Sequence, residues 1–169
     1  MVKRICALVC VVGIVAPDAF SSEAATQRRA AGQATAGQGV QVSLKIGAET
    51  YETRGPGKCT HAPTASIYQV VSELWSVQQS GDGRSLSMSY WKPKDGSGDM
   101  VTLSVSGGGT AHEVNTGRGG GAISGSGTVT LQKSGNGGTF TVDAKTKEGK
   151  DLTGTIQCDA FAPHLAEGG

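Results

Sequence analysis

The sequence predicts an all-β protein, an antiparallel β-sandwich or small barrel of about eight strands with a single disulfide, and three observations support this. Short runs in which apolar and polar residues alternate recur along the chain. Turn-forming sequences separate these runs, and glycine is very abundant at 27 residues. Hydroxyl and β-branched residues are frequent whereas leucine is scarce, which favours strands over a helical bundle.

The pattern is clearest in the C-terminal part of the chain. Three alternating runs, Gly127–Lys133, Gly138–Ala144 and Asp151–Cys158, are separated by glycine-containing turns. Each run places its apolar residues at a period of two, so one face of each strand is apolar. These runs predict a β-meander that ends on Cys158.

The same alternation predicts further strands upstream, which are Val40–Ile46, Glu49–Thr53, Ser72–Gln79, Arg84–Lys92, Met100–Ser106 and Ala111–Thr116. Ala65–Gln79 also fits a helical i, i+3, i+4 spacing, but its β-branched and aromatic residues favour a strand in its second half. We expect a break at Arg54–Lys58, because the Gly-Pro-Gly sequence there is typical of turns.

Residue parity separates the two tryptophans. Trp75 shares its parity with Val77 and should point into the core, with Glu73 on the same parity at the rim of the sheet. Trp91 shares its parity with Ser85, Ser87 and Ser89, and should lie away from the core.

The N-terminal residues 1–24 have the layout of a secretory signal peptide. Lys3 and Arg4 precede the apolar run Ile5–Ala16, and small residues follow around Ser22–Ala25. The apolar run is shorter than the roughly 20 residues of a membrane-spanning helix, although an uncleaved anchor is the alternative. We predict a flexible leader over 25–38, a β-domain over 39–162 and a disordered tail over 163–169. The mature protein should be exported, to the periplasm, the cell surface or the medium.

The cysteine count predicts one disulfide. Signal cleavage would remove Cys6 and Cys10 and leave Cys59 and Cys158, an even pair in an oxidising compartment. A loop of about 100 residues gives the bridge a stabilisation of roughly 4–5 kcal/mol in the chain-entropy model, and measured values are often smaller.

No catalytic or cofactor motif is evident in the sequence. His112-Glu113 begins like a zinc-protease motif, but Thr116 occupies the position of the second histidine. Asp95, Ser97 and Asp99 stand at positions one, three and five of a calcium loop whose later positions do not fit. We favour a plain turn there and leave a loop calcium ion as the alternative.

Surface aromatics are the remaining candidate site. Trp91, alone or with Tyr51 or Tyr68, could form a stacking platform for a sugar or a partner protein. The alternative is that a loop or the leader covers Trp91. The balance of 15 basic and 14 acidic residues gives no indication of nucleic-acid binding.

The order of these features resembles the mycobacterial LpqH-type lipoprotein antigen family. The shared plan is an export signal, a polar leader, a first strand (VQVSLKIG), a cysteine soon after it (GPGKC), the hairpin GSGTVTLQKSGNGGTFTVDAK and a final strand ending in cysteine (LTGTIQC). The resemblance implies a disulfide-stapled β-sandwich at the cell envelope without known catalysis, with Cys59 and Cys158 as the matching positions. Cys10 follows Val9 rather than a small residue, so membrane anchoring through a lipid is not implied for this chain.

These observations predict an exported, non-catalytic protein that acts by binding a protein or glycan partner and needs no cofactor. A carbohydrate-binding module is one alternative. A secreted hydrolase is another, and its acid/base pair would come from Asp82, Asp95, Asp99 and Glu113.

Overall fold

A computed structural model describes residues 39–117 and 123–165 of the chain. These residues form β-strands without any helix, and the strands are β1 (Gly39–Ile46), β2 (Glu49–Ile67), β3 (Val70–Gly81), β4 (Arg84–Pro93), β5 (Met100–Gly107), β6 (Thr110–Asn115), β7 (Ser126–Ser134), β8 (Gly137–Lys145), β9 (Asp151–Cys158) and β10 (Ala162–Pro163). The predicted all-β class is therefore confirmed. The predicted signal peptide, the leader over 25–38 and the last residues of the predicted tail, 166–169, lie outside the described residues.

Nine of the described strands form one antiparallel sheet that curls into a half-barrel. Their order across the sheet is β6-β5-β4-β3-β2-β1-β9-β8-β7, and β10 pairs in parallel with β2. Most neighbours are successive hairpins, which the short glycine turns allow. The exception is the β1–β9 pair, which joins the beginning of the domain to its end.

The expected break at Arg54–Lys58 is wrong, because β2 runs through the Gly-Pro-Gly sequence as an extended strand. Its first part pairs with β1 as far as the Gly39–Pro56 pair, and its second part pairs with β3 from Gly57 onward. Pro56 therefore stands where β2 exchanges one partner strand for the other. A residue without a backbone N–H costs little at such a position, because the ladder with β1 ends there.

The apolar residues of the strands share the inner, concave face of the sheet. The buried core is rich in valine and leucine from nearly every strand, and includes Val40, Val42, Leu44, Val77, Leu86, Met88, Leu103, Val105, Val114, Val142, Leu152 and Ile156. Gly154 lies among them with a φ of 140°, and a Cβ atom at this position would lie 2.1 Å from the backbone oxygen of Ser43. Glycine is required there because β1 and β9 approach more closely than a side chain allows.

Aromatic rings fill one end of the inner face. Trp75 is 2% exposed, as the parity predicted, and its ring stacks on His61 at a centroid distance of 4.5 Å. Tyr90 lies on its other side at 5.6 Å and meets Phe140 edge-to-face. Glu73 is at the rim, as predicted, and its carboxylate lies 3.2 Å from Nε2 of His61.

The predicted disulfide joins Cys59 of β2 to Cys158 of β9. Both cysteines are buried in the core, and their Cα atoms are 6.2 Å apart. Val40, near the start of β1, pairs with Cys158, whereas Cys59 lies beyond the last β2 residue that pairs with β1. The bridge thus holds β2 and β9 together at the point where their common neighbour, β1, begins.

Candidate functional site

The outer, convex face of β3, β4 and β5 is the strongest candidate for a binding surface. No charged residue occupies the outward-facing positions of these three strands. Most of these positions carry hydroxyl groups, and we call the following set the hydroxyl face: Ser76, Ser80, Ser85, Ser87, Ser89, Thr102, Ser104 and Ser106. An uncharged surface of this extent is unusual, because strand faces that meet solvent commonly carry charged residues.

The hydroxyl groups are aligned by the register of the strands. Ser85 lies opposite Ser106, Ser87 opposite Ser104, and Ser89 opposite Thr102. The Oγ atoms of Ser85 and Ser106 are hydrogen-bonded at 2.7 Å. A shallow groove of about 490 Å³ lies over this region, and Lys58 and Gln78 also line it. The groove therefore offers rows of donors and acceptors that can rotate to suit a ligand.

Trp91 lies at one end of the hydroxyl face, on the same side of β4 as Ser89. It is partly buried and packs against a small second apolar cluster formed by Ala62, Ala65 and Leu74. The predicted position of Trp91 away from the main core is confirmed. The β2 strand has a register shift between Ala62 and Ala65, beneath this cluster.

The three aromatic residues proposed from the sequence lie in three different places. Tyr51 is only 7% exposed and faces inward at the far end of the barrel, where the guanidinium of Arg84 lies over its ring. Tyr68 lies in the β2–β3 turn with a φ of 51°, and half of it is exposed. Trp91 alone accompanies the hydroxyl face, so the three rings do not form one platform.

The calcium-loop candidates are engaged in internal hydrogen bonds. Asp95 accepts hydrogen bonds from the backbone N–H and the hydroxyl of Ser97, at 2.9 and 2.6 Å, which lower the pKa of Asp95. Asp99 accepts a hydrogen bond from the hydroxyl of Tyr90. Among the described residues, no group of three or more His, Cys, Asp or Glu side chains is placed to hold a metal ion.

The four carboxylates considered for hydrolysis are distributed over the molecule. Asp82 lies in the β3–β4 turn, whereas Asp95 and Asp99 lie in the β4–β5 loop at the opposite end of β4. The cavity beside the β3–β4 turn contains Asp82 alone of the four, and the cavity beside the β4–β5 loop contains Asp99 alone. Glu113 lies on β6 and is exposed.

Arg84 and His112 line a cavity at the far end of the barrel. Sequence reasoning did not single out Arg84, and it considered His112 only as the start of a zinc-protease motif. His112 belongs to a strand and points inward with Val114, so it is not part of a zinc-protease helix. Its parity on β6 is the signal in the sequence that could have placed it inside. Glu49 lines the same cavity, and the pKa of Glu49 is lowered by a hydrogen bond from Lys150 and by the charge of that residue.

Comparison with known proteins adds no family assignment, since searches against protein-family models, curated proteins and solved structures gave no significant match. The described ranges also contain no helix with the length and apolarity to cross a bilayer.

Proposed function

We propose that this chain is an exported, non-catalytic binding protein and that its ligand is a neutral glycan bound on the hydroxyl face beside Trp91. The carrying observation is the coincidence of an uncharged array of hydroxyl groups with a partly exposed indole on one sheet face. Export is supported by the Cys59–Cys158 disulfide, because disulfides persist in oxidising compartments.

The chemistry of the surface favours a sugar over a protein partner. Each sugar hydroxyl both donates and accepts hydrogen bonds, and so does each serine or threonine on this face. Protein-binding patches instead combine several buried aromatic or arginine anchors, and here the outward positions of β3–β5 hold one aromatic ring and no arginine.

The dimensions suit an extended chain. Trp91, Ser89, Ser87 and Ser85 lie in one line along β4, and six residue steps of an antiparallel strand span about 20 Å. The indole at one end can stack on a sugar ring, while the serines contact successive units of the same chain. This line on β4 carries no charged residue, and Lys58 of β2, at the side of the groove, is the cation beside it. A neutral glycan therefore matches the line itself better than an anionic one.

The proposal is tested by affinity electrophoresis of the full-length exported protein in gels containing neutral soluble polysaccharides. The Trp91→Ala variant should lose at least about tenfold in affinity, corresponding to about 1.4 kcal/mol of lost stacking. Ser87→Glu should weaken binding as well, because it introduces a buried charge under the bound chain.

Tyr68→Ala is the matched control, because it removes an exposed aromatic ring that belongs to the β2–β3 turn and not to the outward-facing row of β3–β5. It should leave retardation in the gel unchanged. The proposal fails if no neutral polysaccharide retards the protein, or if the Trp91→Ala variant is retarded as strongly as the wild type while its circular dichroism spectrum is unchanged.

A further inference from the structure

A cavity of about 300 Å³ opens at the end of the barrel farthest from the aromatic rings around Trp75. It lies where the β1–β2 hairpin approaches the β5–β6 turn, and its apolar lining comes from Ile46, Val105 and Tyr51. Its polar lining includes Glu49, Arg84 and His112. A small, partly apolar site with a few convergent polar groups has the composition of a ligand pocket.

His112 is the unusual member of this lining. It is 6% exposed, and neither ring nitrogen has a hydrogen-bond partner among the described residues. Nε2 faces the Glu49 carboxylate at 3.8 Å and Nδ1 faces that of Glu148 at 3.9 Å, which is too far for a hydrogen bond. Buried polar groups nearly always have a hydrogen-bond partner, so we expect a bound molecule to supply one for this imidazole.

The distance between His112 and Glu49 determines which kind of ligand group can form hydrogen bonds to both side chains. Nε2 of His112 and the nearer carboxylate oxygen of Glu49 are 3.8 Å apart. A ligand atom placed to one side of the line between them can therefore lie within hydrogen-bond distance of both. With the ring proton on Nε2, that atom accepts from the imidazole N–H and donates to the carboxylate. A hydroxyl group does both, whereas an ammonium cannot accept and a carbonyl cannot donate.

Arg84 adds a requirement for negative charge. One of its terminal nitrogens donates to the backbone oxygen of Glu52 at 2.8 Å, and the guanidinium also lies over the ring of Tyr51. Within residues 39–117 and 123–165, its other N–H groups make no hydrogen bond. Lys150 pairs with Glu49 at 3.0 Å and offsets the negative charge of that residue. These remaining N–H groups can bind a carboxylate, for which the planar donor geometry of the guanidinium is well suited.

We propose that this cavity binds a small hydroxy acid of the sugar-acid type, with a hydroxyl group between His112 and Glu49 and the carboxylate at Arg84. The carbon skeleton lies against Tyr51 and Val105. This site is separate from the hydroxyl face, because its lining comes from inward-facing residues and from turns at the end of the barrel.

The experiment is calorimetric titration of the full-length exported protein with three probes that separate the two requirements. D-Glucuronate carries hydroxyls and a carboxylate, D-glucose carries only the hydroxyls, and propionate carries only the carboxylate. Glucuronate should bind at least about tenfold more tightly than either of the others, because each of them leaves a polar group of the site unpaired.

Variants assign the binding to this cavity. Arg84→Gln should weaken glucuronate binding by about tenfold and leave any glucose binding unchanged, since Arg84 contacts the carboxylate of the ligand and not its hydroxyl groups. His112→Gln should weaken glucuronate and glucose alike, because it changes the hydroxyl partner. Lys92→Gln, which removes an exposed cation outside the cavity, is the matched control and should have no effect.

Nuclear magnetic resonance provides a readout that is independent of stability. The ring protons of His112 should shift on addition of glucuronate, and those of His61 should not. The proposal is overturned if glucuronate binds no more tightly than glucose and propionate, if Arg84→Gln leaves glucuronate affinity unchanged, or if the His112 signals do not move at saturating glucuronate.

Discussion

The inner and outer faces of the β3–β4 hairpin carry the same kinds of residue with opposite consequences. Leu74 and Trp75 are consecutive in β3, and Tyr90 and Trp91 are consecutive in β4. In the antiparallel register Trp75 pairs with Tyr90 on the inner face, and Leu74 pairs with Trp91 on the outer face. The inner pair is enclosed by further rings and by the main core, whereas the outer pair belongs to a small apolar cluster whose other described members are Ala62 and Ala65. A tryptophan thus lies in the main core on one face and is partly exposed on the other, and a shift of one residue in parity decides which.

The largest effect that would test this contrast is the replacement of Trp75. Trp75→Ala should lower the free energy of unfolding by about 3–5 kcal/mol, because it leaves a large cavity between His61 and Tyr90. Urea denaturation followed by circular dichroism measures this loss.

Trp75→Phe serves as the control for the same site. It should cost less than half as much, since it keeps an aromatic ring and removes a buried indole N–H that has no hydrogen-bond partner among the described residues. Equal losses for the two variants would mean that the ring packing around position 75 is not the source of the stability.

Removal of the disulfide should have the next largest effect. The double variant Cys59→Ala, Cys158→Ala should lose about 2–4 kcal/mol, because the bridge spans a sequence separation of 99 residues and both ends lie in the core. Mass spectrometry of the native protein, alkylated without prior reduction, should find neither thiol free. Two free thiols in that material would remove the bridge from the description of the inner face.

Trp91→Ala should cost only about 1–2 kcal/mol, since its side chain is partly exposed and packs on a small cluster. Acrylamide quenching of the two single-tryptophan variants, Trp75→Phe and Trp91→Phe, compares the faces directly. Trp91 fluorescence should be quenched more readily than that of Trp75. The reverse result would show that the register of β3 and β4 is wrong, and the proposed binding face with it.

The smallest effect concerns pH at the edge of the aromatic cluster. Burial of Tyr90, followed by its hydrogen bond to Asp99 and the charge of that residue, raises the pKa of the Tyr90 phenol above its usual value. The pKa of Tyr90 is higher in the folded than in the unfolded protein. The contribution of Tyr90 to the free energy of unfolding is therefore fully present below about pH 10 and is lost as the pH rises above that value.

Tyr90→Phe should therefore reduce stability by about 1 kcal/mol or less at pH 7, and the difference from wild type should shrink above pH 10. Paired urea titrations at pH 7 and pH 11 measure this difference. A gap between the two proteins that grows with pH would contradict the assigned direction of the shift.

Much of this structure was predictable because its information is local. Each strand predicted from alternation is present, including Ser72–Gln79, where a helical spacing competed. The extended path of β2 through Pro56 was not predictable, since it depends on β2 leaving β1 for β3 at that residue. Likewise Tyr51 was a candidate for the surface, yet the curl of the sheet and the Arg84 side chain enclose it.

The sequence by itself determined where most strands lie and which face most strand side chains take, because a period of two needs no knowledge of distant neighbours. With the predicted signal peptide set aside, the cysteine count also indicated which two cysteines pair. Only the tertiary structure decided that Glu49, His112 and Glu148 meet at one end of the barrel. Those residues come from β2, β6 and the β8–β9 turn, and their contact depends on strand order and on the curvature of the sheet. Curvature is a property of the whole sheet, since each strand adds a small twist relative to its neighbour, and the alternation within a single strand does not encode the sum.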